Sequence, residues 1–264
     1  MIHYDVGDDF VARVTLDRPE AKNALTVEMR DGIVARVRAA RADPEVRALL
    51  ITGAGDAFCA GMDLGASTMA KAGTPDFETR GAAEALRVGV QSFIRELWEL
   101  DKPTVAAVGG AAVGPGAHLA LACDFVVVHD HTRLLWSFAK WGLVVDAGGA
   151  YLLPRLVGLP RAKAMVLLGE GATGAEAVEL GLAYRCVPRD QLTAEADALA
   201  IRLAEGPTRA LGLSKRLLNT AFETSLERSL ELEGAYQSLA ATSPDLVEGM
   251  AAFRERRDPT YQGR

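Results

Sequence analysis

Short apolar runs that each give way to a turn and then to helix-forming sequence constrain this chain more than any other feature. "VRALLITGAG" (46–55), "KPTVAAVGG" (102–110) and "FVVVHD" (125–130) are long enough for one strand each, and too continuously apolar for strands with a wet face. Between them, residues 81–100 carry a helical period, and "GPGAHLALACD" (114–124) reads as a turn and a short helix. Strand, helix, strand in alternation needs crossover connections, so the expected class is α/β with parallel pairing. "VARVTLD" (11–17) adds an alternating strand closed by Arg18-Pro19, and "TVEMRDGIVARVRAARAD" (26–43) a helix capped by Thr26. The small and polar segment 64–80 is expected to be a loop. From "PRAKAMVLLGE" (160–170) onward helical sequence dominates, including "TSLERSLELEGAYQSLAA" (224–241) and "PDLVEGMAAFRERR" (244–257). No linker sets this part off, so the last third is expected to be packed helices or an oligomer arm.

At 264 residues, 49% hydrophobic, the chain fits one large domain or a core with a small appendage. A net charge of −6 argues against nucleic acid as a partner. No stretch is long and apolar enough for a bilayer, and "MIHYDVGDDFVARV" lacks the pattern of a secretory signal. Cys59, Cys123 and Cys186 are odd in number and sit in apolar or small-residue contexts, which suits reduced thiols in a cytoplasmic protein. The four histidines form no ligand cluster, "HDH" (129–131) reads as an exposed turn, and no metal is expected.

One charge stands out. In "GLVVDAGGAYLLP" (142–154) Asp146 is alone, with Lys140 and Arg155 its nearest charged neighbours. Two readings stand: a polar turn residue facing water, or an acid/base whose pKa burial has raised. Three glycine-bearing stretches, "TGAGDAFCAGMDL" (52–64), "GGAAVGPGAHL" (109–119) and "VVDAGG" (144–149), match neither the dinucleotide nor the P-loop pattern, and no G-x-S-x-G elbow is present. Such turns either present backbone N–H groups to a carbonyl oxygen or let helix and strand pack closely.

Taken in order, "RPEAKNALT" (18–26), "AFCAGMDL" (57–64), "KPTVAAVGGAAVGPGAHLALACD" (102–124) and "GLVVDAGGAYLLPRLVG" (142–158) resemble the enoyl-CoA hydratase/isomerase (crotonase) superfamily along nearly the whole chain. "GPTRALGLSKRLLN" (206–219) and "EGMAAFRERRDPTYQGR" (248–264) look like its phenylacetate-pathway and Δ3,Δ2-enoyl-CoA isomerase branch. The resemblance implies an α/β spiral of ββα turns over residues 1–200 that holds the acyl-CoA site. It implies a helical oligomerisation region over 201–264, building a homotrimer or a dimer of trimers. The implied partner is an acyl-CoA thioester, with no nucleic acid and no membrane, and no cofactor beyond the coenzyme A of the substrate. The family grips the thioester oxygen with two backbone N–H groups while a proton leaves Cα. By position those donors fall at Met62 and at residue 115. Lys22, Ala24, Ala60, Asp63 and Leu64 would line the CoA pocket, with Lys22 or Arg18 supplying positive charge near its phosphates.

Hydratases of this family use two glutamates that share a water. The matching positions here hold His118 and Phe138, and a phenylalanine cannot activate water. The isomerase branch keeps one acid in "GL-x-x-D-x-GG", and that position is Asp146. A related dehalogenating branch wants an upstream histidine, and a tryptophan where this chain has Phe138. The expectation is therefore a Δ3-to-Δ2 enoyl-CoA isomerase with Asp146 as single acid/base. The alternatives are a hydratase-type lyase, an aromatic-ring acyl-CoA isomerase and a non-catalytic acyl-CoA-binding protein. Pro115 motivates the last, because proline has no N–H to donate. Three outcomes are open there: Gly116 supplies the donor, Met62 acts alone or with His118 or a water, or catalysis is weak.

Overall fold

In a computed structural model that describes residues 1–63, 65 and 79–264, the apolar runs feed two sheets. In chain order the strands are β1 (Ile2–Val6), β2 (Val11–Leu16), β3 (Ala48–Gly53), β4 (Ala57–Cys59), β5 (Thr104–Val108), β6 (Ala111–Val113), β7 (Phe125–His129), β8 (Arg133–Leu135), β9 (Ala172–Thr173) and β10 (Arg185–Val187). Six form one sheet in the order β1-β2-β3-β5-β7-β10, parallel except for the β1–β2 pair. The others form a second sheet, β4-β6-β8-β9, with only β8–β9 antiparallel.

The pairs β3/β4, β5/β6 and β7/β8 each give one strand to each sheet before the chain returns through helix. That is a ββα spiral. Gly53 permits the first switch between sheets, since a Cβ there would press on the carbonyls of Ala57 and Phe58. The expectation of an α/β fold with parallel pairing holds, and the short second sheet is the addition.

Alternation within β3 and β5 covers both faces of the larger sheet. Leu49, Ile51, Ala106 and Val108 pack into one core with Val37 of α1 (Val27–Ala42). Ala48, Leu50, Val105 and Ala107 pack on the other face against Ala196, Ala200 and Ala204 of α8 (Leu192–Ala204). The helices from α2 to α8 are Thr79–Val88, Val90–Trp98, Pro115–Leu121, Gly149–Val157, Leu159–Leu168, Gly174–Glu179 and Leu192–Ala204. The single helix expected over 81–100 is two, α2 and α3. Gly89 at φ −95°, ψ −114° breaks it and starts α3, which buries Val90, Phe93, Ile94 and Leu97. The expected 64–80 loop lies mostly outside the described residues, and its last two positions already belong to α2.

Three helices close the chain, α9 (Thr208–Asn219), α10 (Leu226–Ala240) and α11 (Pro244–Glu255). Lys215 pins α9 to the core, its buried ammonium donating to the carbonyls of Leu97 and Lys102 and to Asp124 at 2.9 Å. Asp245, buried at the start of α11, accepts from the N–H groups of Gln262 and Gly263 and so folds the tail back. His129 corrects the reading of "HDH" as an exposed turn. It is the last residue of β7, is buried, and accepts from the N–H of Gly110 at 3.0 Å, whereas Asp130 and His131 do face solvent.

Candidate active site

The parallel registers of the second sheet bring three turns side by side. Cys59 faces Ala112, and Val113 faces Leu135, so the chain leaving β4, β6 and β8 emerges at one edge.

After β4, Gly61 takes φ 92° and sits so close to the next turn that a Cβ would stand 2.9 Å from the Val113 carbonyl and 3.5 Å from Pro115 Cδ. Met62 bridges to Leu25 in parallel. The bonds of that bridge run from Leu25 N–H to the Gly61 carbonyl (2.8 Å) and from Asp63 N–H to the Leu25 carbonyl (3.0 Å). Both belong to Met62's neighbours, so its own N–H points away from Leu25, and it has no acceptor among the described residues. Residues 18–24 brace this turn. Ala60 N–H donates to the Lys22 carbonyl, and Arg18 bonds both the Ala24 carbonyl (3.1 Å) and Asp63 (2.7 Å). Asn23, fully buried at φ 56°, donates to the carbonyls of Ala54 and Ala57 and accepts from Arg18 N–H.

After β6, Gly114 at φ 50° starts α4 and donates to the Leu135 carbonyl, while His118 N–H closes the first helical turn on the Gly114 carbonyl. Pro115 holds the first helical position, where a missing N–H costs nothing structurally. The remaining amides of that turn, those of Gly116 and Ala117, have no acceptor among the described residues. Gly116 must be glycine, because a Cβ would overlap the Cys59 carbonyl. The Cys59 thiol is pushed up to about 12 by burial, which leaves it neutral.

One turn into α4, His118 is fully buried. Phe138, reached by the turn after β8, stacks on it with centroids 5.8 Å apart and planes 9° from parallel, and also packs on Gly114. His118 Nε2 accepts from the Trp136 indole N–H at 3.0 Å, while Nδ1 has no partner in hydrogen-bond geometry. Burial pushes the imidazole down to about 4, partly opposed by the main chain of Asp146. The ring is therefore neutral at physiological pH.

Asp146 precedes α5 in a turn that carries two left-handed residues, Ala147 at φ 46° and Gly148 at φ 76°, and closes from Gly149 N–H to the Asp146 carbonyl at 2.9 Å. The carboxylate is partly buried, and its Oδ1 is buried without a hydrogen-bond partner. Desolvation raises its pKa from 3.8 to about 6. Val145 and Ile94 pack on this turn. Of the two valines before Asp146, Val145 is half-buried against Gly149, whereas Val144 is 82% exposed.

Met62, Pro115, Gly116, His118, Phe138 and Asp146 are thus joined through one continuous set of contacts, with Ala24, Ala60 and Asp63 bordering it. The Lys22 side chain is exposed, and its carbonyl is what this site uses. Leu64 lies outside the described residues. Sequence reasoning passed over Trp136 and Asn23. Asn23 had a signal, since asparagine tolerates the left-handed backbone it adopts here. Among the described residues no group of three or more His, Cys, Asp or Glu is placed to hold a metal ion, and no helix is long and apolar enough to cross a membrane.

A spiral of ββα turns that gathers free amides, a neutral imidazole and one desolvated carboxylate at a sheet edge defines a class of protein. The chain matches the model of the enoyl-CoA hydratase/isomerase family over residues 7–264 and belongs to that family. It is 38% identical over 258 residues to the 1,2-epoxyphenylacetyl-CoA isomerase of Escherichia coli K12, covering 96% of this chain and 95% of that one. It is 37% identical over 269 residues to a probable enoyl-CoA hydratase of Rhodobacter capsulatus, covering 100% and 98%. A crystal structure of an enoyl-CoA hydratase/isomerase homologue from Mycobacterium abscessus superposes with a TM-score of 0.93 at 34% identity, each chain covered completely. The fold is that of crotonase, and the chain is an enzyme of that family.

Proposed function

We propose that this enzyme is an acyl-CoA isomerase that moves a double bond from C3–C4 to C2–C3 of an enoyl-CoA. The observation that carries the reading is Asp146, a desolvated carboxylate on a turn packed against the neutral His118, on which Phe138 stacks. Ionised Asp146 takes a proton from C2, and the C–H electrons pass into the conjugated system as a dienolate on the thioester oxygen. The N–H groups of Met62 and Gly116 receive that oxygen. Protonated Asp146 then returns the proton to C4, which leaves the double bond at C2–C3 and the enzyme unchanged. One acid serves both transfers. Two amides held in a water-poor site supply the charge stabilisation. His118, packed against Gly149 of the Asp146 turn, orients the acid rather than the substrate.

Ala24, Ala60, Asp63, Leu64 and Lys22 border the path for coenzyme A, which arrives as part of the substrate. No further cofactor enters the scheme. Residues 1–200 carry this chemistry, and 201–264 serve assembly into a homotrimer or a dimer of trimers. The support for assembly is α10, which buries none of its residues, together with the exposed Leu218, Phe222, Leu226, Leu230 and Phe253. Three free cysteines suit the reducing cytoplasm.

A second reading, an isomerase of an aromatic-ring acyl-CoA, is favoured by the 38% identity to the relative named 1,2-epoxyphenylacetyl-CoA isomerase. Asp146→Asn keeps the shape and removes the base. Turnover of 3-enoyl-CoA by the purified variant is expected to fall about 10²–10⁴-fold. Parent-like turnover would reject the mechanism. A parent enzyme that turns over only aromatic acyl-CoA would select the second reading.

A further inference from the structure

Trp136 makes a buried contact that the proposed chemistry does not use. Its indole N–H meets His118 Nε2 at 3.0 Å, and both residues are 0% exposed. An indole N–H only donates, so Nε2 must present its lone pair, and the neutral ring carries its proton on Nδ1. Sheet register produces the contact. Val113 pairs with Leu135 and Gly114 donates to the Leu135 carbonyl, so the next residue, Trp136, lies beside the first turn of α4. Nδ1 is buried without a hydrogen-bond partner, and the Cε1–Nε2 edge of the ring lies against Gly149 of the turn that carries Asp146.

We infer that Trp136 is a positioning residue: its donation to Nε2 holds His118 as the Nδ1–H tautomer and fixes the ring against Gly149, which keeps the turn carrying the acid/base in place. The inference rests on Asp146 being the acid/base. In the opposite tautomer Nε2–H and the indole N–H would face each other, and two donors would repel. The turn needs such a restraint. Buried Ala147 sits at φ 46°, a left-handed conformation that penalises any residue with a Cβ. His118 makes no hydrogen bond to the carboxylate, so the acid keeps the basicity that a direct N–H donor would lower.

The tautomer is read directly from the nitrogen shifts and couplings of ¹⁵N-histidine-labelled enzyme at pH 7. The parent should show His118 as Nδ1–H, and Trp136→Phe should move it to a mixture or to Nε2–H. In the same variant kcat should fall about tenfold, with KM changed less than twofold and an added inflection on the acid side of the pH profile. A mere filler of the core would leave the tautomer and the pH profile as they are. If Trp136→Phe does not fold, 3-benzothienylalanine placed at 136 keeps the ring shape and removes only the N–H, with the same expectations. An Nε2–H ring in the parent, or a folded variant with parent tautomer and parent kcat, overturns the inference. Because the tautomer is measured without turnover, an active Asp146→Asn enzyme would remove the acid/base reading while leaving this measurement meaningful.

Discussion

Gly149 lies flush against His118, so that a Cβ on it would overlap Cε1 and Nε2 of the ring and stand 2.7 Å from Cγ2 of Val145. The turn carrying the carboxylate and the helix carrying the imidazole are therefore packed as one unit, and neither shifts alone. Gly149→Ala tests this. It should lower stability by about 1–3 kcal/mol in urea unfolding, as overpacking does. It should lower kcat more than the lost folded fraction explains, because the ring must move away from Asp146. Parent kcat in the folded variant would show that the two groups are not coupled.

In the proposed reaction the acidity of Asp146 is expected to set the pH dependence of turnover. With its pKa raised to about 6 by desolvation, the basic form accumulates as pH rises through that value. His118, pushed down to about 4, stays neutral across the same range and adds no limb of its own. We expect kcat/KM to be half-maximal near pH 6 and level by pH 7.5. A profile that is flat from pH 5 to 8 would assign the proton transfer to another group.

Stability should respond with the opposite sign. Folded Asp146 binds its proton more tightly than the unfolded carboxylate, so between pH 3.8 and about 6 the native state holds more protons and stability falls as pH rises. The cost is absent below the unfolded value and complete above the folded one. Asp146→Asn should therefore stabilise the protein at pH 7.5, by about 1–3 kcal/mol at most, and by much less at pH 4. Chemical denaturation at the two pH values measures the difference. Equal effects at both would mean that the carboxylate is not desolvated.

Pro115 removes one amide from the first turn of α4 but leaves those of Gly116 and Ala117 without protein acceptors. Pro115→Gly restores the missing N–H. In the proposed reaction Gly116 serves the oxygen, so kcat should change less than about threefold, since a missing oxyanion donor costs about 10²–10³ in rate. Loss of the fixed proline φ should cost about 0.4–1 kcal/mol in stability. A rate gain of tenfold or more would mean that the parent lacks its second donor.

How much was legible varies with the length and locality of each signal. β5 lies within "KPTVAAVGG" because a continuous apolar run of that length suits a strand buried on both faces. The three-residue strands β4, β6 and β8 are too short to display a period, and they became visible only once paired. The division at Gly89 was hidden because apolar spacing continues on both sides of it, while one glycine backbone sets a new direction. Residues that resemble a family motif, such as Met62, Gly116 and Asp146, were placed by order along the chain. Trp136 carried no motif and was passed over.

Chemical identity and local preference are written along the chain: a lone carboxylate between apolar neighbours, a proline where an amide was expected, and an imidazole and a phenyl ring where two carboxylates would stand. These are covalent facts. Their surroundings come from folding. The acidity of Asp146 depends on burial supplied by α3 and α4, and the tautomer of His118 on an indole brought alongside by the pairing of Val113 with Leu135. Which amides stay free depends on how Gly61 and Gly114 turn. Desolvation and hydrogen-bond direction act through space between segments far apart in the chain, so no local pattern records them.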